Sequence, residues 1–176
     1  MLLPFLLYCQ KTAETVGKSS NKGDMQFLES VSKNMKVVID DLTESQRLPT
    51  NKFLITTRYE LSKEKVAEYK KNNGTLENDD NDISDSAKYV IKDYTLENEN
   101  GEKLKIVDGG NYKVLQETSL GEYHNKLQQN LIIKLTLDKK FKTLKGSVNI
   151  ELQLPGNQNK DVKIPVNISI EDKVSD

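Results

Sequence analysis

Leu144 to Glu171 reads LKGSVNIELQLPGNQNKDVKIPVNISIE. Val148, Ile150, Leu152 and Leu154 alternate with Ser147, Asn149, Glu151 and Gln153. After PGNQNKD, Val162, Ile164, Val166, Ile168 and Ile170 alternate with Lys163, Pro165, Asn167 and Ser169. Apolar residues at every second position, bounded by turn formers, mark two half-buried strands. All nine apolar positions are even-numbered, so an antiparallel hairpin that pairs Leu154 with Val162 places them on one face. A single hairpin does not repay the entropy of ordering its own backbone. That face therefore needs a second apolar layer, most simply another sheet. Pro165 has no N–H to donate, which puts the last strand at a sheet edge.

The rest of the chain supplies such a layer. Met35, Val37 and Ile39 form a short alternating run. Leu48-Pro49-Thr50-Asn51 is a turn, and Phe53, Ile55, Thr57, Tyr59 and Leu61 then share one face of a clear strand. Leu131, Ile133, Leu135 and Leu137 do the same within Asn130 to Asp138. Ala87 to Ile106 reads as a further hairpin. A two-residue Asn100-Gly101 turn would split Leu96 and Leu104 between faces. A three-residue loop, Glu99-Asn100-Gly101, pairs Asn98 with Glu102, Leu96 with Leu104 and Tyr94 with Ile106, and gives Gly101 the left-handed position of a bulged turn. Tyr112 to Glu117 is a short strand after the Asp108-Gly109-Gly110-Asn111 turn. Ser119 to Gln129 is polar and reads as a loop. Asp138 to Thr143 turns the chain into the final hairpin.

Two segments are helical. Met25 to Val31 gathers Phe27, Leu28 and Val31 on one face, with Asp24 as its N-cap. Ser62 to Lys71 begins on a Ser62 cap and ends at Asn73-Gly74, and its few apolar residues make it a lightly packed crossover between sheets. The fold class expected from this pattern is all-β: a two-sheet antiparallel sandwich of seven to nine strands, immunoglobulin-like in outline, with at most two short helices. An up-and-down barrel around a ligand cavity is the runner-up.

The amino terminus is of another kind. Met1 to Tyr8 is MLLPFLLY, apolar throughout, and runs into Cys9, the only cysteine; QKTAETVGKSSNKGD follows, rich in Lys, Ser and Gly. A greasy run closing on a cysteine ahead of a polar stretch resembles a bacterial lipoprotein signal. Leu6-Leu7-Tyr8-Cys9 carries that family's leucine three positions before the cysteine. It departs at Tyr8, where the family has a small residue. It also lacks a basic leader, which implies a start upstream of Met1 or a trimmed basic end. The resemblance implies removal of residues 1–8 and a diacylglycerol on the Cys9 sulfur. Residues 9–33 would then be the lipidated cysteine and a flexible tether, and 34–172 the β-sandwich domain. Gln10 to Lys33 as a flexible chain would span roughly 25–29 Å. The competing reading makes Leu2 to Tyr8 an ordinary buried strand and Cys9 a core thiol.

Composition removes several function classes. The chain has 176 residues, 30% of them charged, yet a formal net charge of −1. Its cations are lysines except for Arg47 and Arg58. A nucleic-acid reader carries a basic excess and arginine forks, so no nucleic-acid partner is expected. One cysteine permits neither an internal disulfide framework nor a cysteine-based zinc cluster. No phosphate-cradling glycine loop and no G-x-S-x-G elbow occur. His124, in GEYHNK, is the only histidine and has no second ligand at metal spacing. Asp80, Asp82 and Ser84 mimic the start of a calcium loop, but Asp85 stands where it needs glycine and Ile91 where it needs an acid. The acidic run Asp79 to Asp85 reads as a solvated loop, and Lys139-Lys140-Phe141-Lys142 as a soluble turn.

The expectation for function is therefore a non-enzymatic binding or structural module of the bacterial cell envelope. It is monomeric, without cofactor or metal, held at the membrane by a lipid on Cys9 and facing an unknown protein or glycan partner. The alternatives are a barrel carrier of a hydrophobic ligand and a soluble sandwich with no anchor.

Overall fold

A computed structural model describes residues 17–39, 48–72, 74, 87–107 and 113–170. Two helices and eight strands follow in order: α1 (Gly17–Lys33), β1 (Lys36–Ile39), β2 (Thr50–Glu60), α2 (Lys63–Lys71), β3 (Lys88–Asn98), β4 (Lys113–Val114), β5 (Gln116–Tyr123), β6 (Lys126–Phe141), β7 (Thr143–Leu154) and β8 (Gln158–Ser169). They build two four-stranded sheets, ordered β1-β2-β6-β5 and β4-β3-β7-β8, with every pairing antiparallel. The sheets are open, and their inner faces meet in one core. The expected sandwich is the observed fold. The barrel is not adopted.

Alternation in the sequence becomes burial. Phe53, Ile55, Thr57 and Tyr59 of β2 point inward beside Leu131, Ile133, Leu135 and Leu137 of β6. Val148, Ile150, Leu152 and Leu154 of β7 oppose them, with Ile164 and Val166 of β8. The β7–β8 register is a correction. Ile150, not Leu154, stands opposite Val162, and Leu154 pairs with Gln158. Gly156 and Asn157 both take positive φ, so the chain reverses within Pro155-Gly156-Asn157 and Gln158 to Asp161 extend the strand. The shift is an even number of residues, so the apolar side chains keep their face. β8 lies at a sheet edge, and Pro165 pairs with Ser147 there.

Gly101 adopts φ +75° as the three-residue loop requires. The Asn98 N–H donates to the Glu102 carbonyl at 3.1 Å and the Leu104 N–H to the Leu96 carbonyl at 2.9 Å. The returning arm soon leaves β3, however. Ile106 bridges Leu137, and the Val107 N–H donates to the Thr136 carbonyl at 2.9 Å, so the chain crosses to the other sheet instead of completing the expected hairpin. A second corner joins β6 to β7 at Lys142. There the Glu99 carboxylate accepts the backbone N–H groups of Lys142 at 2.9 Å and Thr143 at 3.1 Å. These two bonds hold the Glu99 carboxyl below its usual range.

Ser119 to Gln129 is a hairpin, not a loop. β5 and β6 are joined by the two-residue turn His124-Asn125, with φ +51° and +61°. Two successive left-handed residues match the twist of the flanking strands. β4 pairs with β3 in one sheet, and after Leu115 the chain switches to β5 in the other.

The first helix also corrects the sequence reading. It begins at Gly17, not at Asp24, and Asp24 lies within it, accepting a bond from the Gln158 side-chain amide at 3.0 Å. Phe27, Leu28 and Val31 are buried in the sandwich core, with Phe27 edge-on to Tyr59 at 4.9 Å. The packed part of the chain therefore starts before residue 34, inside the segment read as a tether. β1 pairs only with Phe53 to Thr56 of β2, which leaves the Arg58 end of β2 without a strand neighbour on the side away from β6. α1 takes that place. Its buried Thr57 partner donates to the Val31 carbonyl at 2.5 Å, and Asn34 and Ser30 donate to the Arg58 carbonyl at 3.3 and 3.5 Å. The second helix behaves as expected: Ser62 caps it by accepting from the Lys65 N–H, none of its residues is buried, and it connects the two sheets.

Candidate functional site

The outward face of the β1-β2-β6-β5 sheet carries a groove of about 600 Å³. Its position follows from pairing. Lys36 lies opposite Thr56, Thr56 opposite Ile132, and Arg58 opposite Asn130, so residues far apart in the chain form two adjacent rows across the strands. Lys33 and Asn34, at the end of α1, form one rim. Thr118, Ser119 and Tyr123 of β5 form the other.

The β5 rim is irregular. Its pairing with β6 shifts between Glu117 and Leu120, so Thr118 and Ser119 bulge from the ladder. The Asn130 amide fastens the bulge, donating to the Ser119 carbonyl at 3.0 Å and to its hydroxyl at 3.2 Å. The Thr118 hydroxyl donates to the Asn130 carbonyl at 3.3 Å. Further along, the Arg58 guanidinium sits 3.9 Å from the centre of the Tyr123 ring. This contact spans β6 and makes one wall. Gly121 provides room for the ring, since a Cβ there would stand 2.8 Å from Tyr123 Cε2. Ile132 and Val38 supply apolar floor between the polar rims.

Among the described residues the groove has one sign of charge: Lys33, Lys36 and Arg58 line it and no described carboxylate does. Among the described residues none of the three has an ion-pair partner; Arg58 has only the ring. Two carbonyls of the last turn of α1 are already engaged. Val31 accepts from Thr57, and Ser30 accepts from the Asn34 amide at 2.9 Å. Hydroxyl and amide groups of Thr56, Thr118, Ser119 and Asn130 complete the lining. A smaller cleft of about 400 Å³ lies where β4 passes to β5, lined by Tyr89, Leu115 and Ile133 with lysines at its mouth.

The residues singled out by sequence lie elsewhere. His124 is exposed at the tip of the β5–β6 hairpin. Cys9 and the acidic run Asp79 to Asp85 fall outside the described residues. Lys139, Lys140 and Lys142 surround the corner into β7, with Lys139 near Glu102 at 3.6 Å. No cluster of three or more potential metal-ligating side chains exists among the described residues, and no described helix is long and apolar enough to cross a membrane. Two more carboxyls besides Glu99 are held below their usual range. Glu64 bonds its own backbone N–H and the Ser62 cap. Glu151 bonds Lys92 and Gln153 on the other sheet. None of the three lines the groove.

Sequence reasoning missed the groove. Lys33, Lys36 and Arg58 are spread over three elements, and only the pairing of β1 with β2 and the docking of α1 beside them bring the three together. No protein-family model matches the chain, and neither a curated protein nor a solved structure gives a significant match.

Proposed function

We propose that this chain is a non-enzymatic binding module of the bacterial cell envelope, held to a membrane by a lipid on Cys9. The observation that carries the reading is the apolar run Leu2 to Tyr8 ending at the only cysteine, ahead of a β-sandwich. The strand order supports an immunoglobulin-like kinship of form. β1-β2-β6-β5 corresponds to the four-stranded sheet of that fold, and β3-β7-β8 to the three-stranded one, with β4 as the strand added beside it in the larger variants. Such sandwiches carry ligands on sheet faces or end loops and leave the core as scaffold. The groove on the outer sheet face is the surface that would meet a ligand.

Metabolic labelling of cells with a lipid precursor tests the anchor. The protein is expected to take up label, and Cys9→Ala to abolish it. Label that persists in the Cys9→Ala protein, or parent protein that takes up none, removes the lipid from the reading and leaves the unanchored sandwich in its place.

A further inference from the structure

The geometry points to an acidic oligosaccharide as the ligand of the outer-face groove. The inference rests on the binding-module reading and supplies its substrate class. Three features together select the chemistry. The first is charge: Lys33, Lys36 and Arg58 face the groove with no carboxylate among its described lining residues. An anion entering it would meet cations that no described acid neutralises. Arg58 presents a planar fork suited to a carboxylate or sulfate, and its stacking on Tyr123 fixes the plane of that fork in advance.

The second feature is the neutral lining. Thr56, Thr118 and Asn130 turn their donors to the Lys36, Asn130 and Ser119 carbonyls, which leaves their side-chain oxygens as acceptors and the Ser119 O–H as a donor toward a ligand. A ligand dense in hydroxyls uses such partners; a bare inorganic anion does not need them. The third is size. About 600 Å³ lies in the range of sites for compact organic ligands and would take two or three sugar rings, not a bulky polymer fold. Ile132 and Val38 give the floor an apolar patch against which the less polar face of a sugar can rest. An acidic peptide is the competing occupant. It satisfies the charge, but its regularly spaced amides find no free backbone ladder on a sheet face, where the strands are already paired to one another.

Calorimetric titration of the full chain decides the matter, with four probes: a hyaluronan hexasaccharide bearing carboxylates, a heparin-derived hexasaccharide bearing sulfates, neutral chitohexaose, and hexaglutamate. At least one acidic saccharide is expected to bind, at least about tenfold more tightly than either hexaglutamate or chitohexaose. The comparison of the first two tells which anionic group is read. Lys33 and Lys36 are exposed, so the double variant Lys33→Gln, Lys36→Gln leaves the fold intact and is expected to weaken binding about tenfold or more. Arg58→Gln is expected to do the same, its fold checked by circular dichroism. Four results would each overturn the inference: no binding of either acidic saccharide, equal binding of the neutral one, equal binding of hexaglutamate, or undiminished binding by the lysine double variant. The titration does not depend on lipid. A chain that is labelled at Cys9 but binds no saccharide refutes the ligand and keeps the anchor, and the reverse pattern refutes only the anchor.

Discussion

Gly146 stands opposite Leu96 in the pairing of β3 with β7. Its φ is +134°, and a Cβ built there would stand 1.8 Å from the Thr95 carbonyl oxygen and 2.8 Å from its carbon. Real Cβ contacts essentially never fall below 3.0 Å, so Gly146→Ala forces a movement of at least 1.2 Å, the difference between 3.0 and 1.8. The neighbour is backbone and cannot swing aside. Two ladder bonds near the Leu96 pairing would open, at about 1 kcal/mol each. Overpacking beside the buried Leu96 adds about 1–3 kcal/mol. The expected loss is about 3–5 kcal/mol. For a chain of this size that lowers Tm by about 6–20 °C. Two other glycines calibrate the measurement. Gly101 also has positive φ but open space around it, so Gly101→Ala should cost only about 1–2 kcal/mol. Gly23 lies inside α1 with nothing within 4 Å, and Gly23→Ala should stabilise by up to about 1 kcal/mol. Thermal and urea unfolding of the three variants give the order. A Gly146→Ala protein that loses less than Gly101→Ala would refute the close approach of the two strands.

Two further outcomes follow from particular bonds. Thr57→Val keeps shape but removes the hydroxyl donor to the buried Val31 carbonyl, which retains only the longer 3.3 Å bond from the Asn34 N–H, at about 0.5–1.5 kcal/mol; amide exchange should rise first in α1, and unchanged exchange there would show that the bond does not hold the helix. Glu99 has a folded-state pKa below its unfolded one, so its contribution is present above the ordinary carboxylate range and is lost as pH falls through the lowered folded value. Glu99→Gln should therefore shift the urea midpoint downward near neutral pH and converge with the parent in strong acid; a gap that stays constant with pH would contradict this.

Much of the architecture could be read from the residues because it depends on parity. The even-numbered aliphatics of Val148 to Ile170 and the odd-numbered ones of Phe53 to Leu61 needed only their period to declare an inward face. The same period tolerates even register shifts, which is why the face was legible and the Leu154 pairing was not. The β5–β6 hairpin escaped notice for a different reason. Its turn, His124-Asn125, contains no glycine, and β5 carries few apolar residues to set a rhythm. The reach of α1 back to Gly17 was hidden as well, because GKSSNKGD has no apolar stripe of its own and its helix grows from the docked Phe27, Leu28 and Val31. The groove depends on three cations that become neighbours only through strand pairing and the docking of α1, a long-range fact that local pattern does not hold.

The way α1 is seated has a mechanical consequence. It precedes the sandwich and is fastened by three apolar side chains, a few bonds around Thr57 and Arg58, and the Gln158–Asp24 bond and Lys160–Glu29 pair to β8, so tension applied from the amino-terminal side meets this helix before any long strand. Its 17 residues span about 25 Å when coiled and about 55 Å when drawn out. Stretching would peel it first, extending by about 30 Å while the two sheets and the groove across β2, β6 and β5 keep their shape. The helix is thus a yielding spring in series with a stiff body.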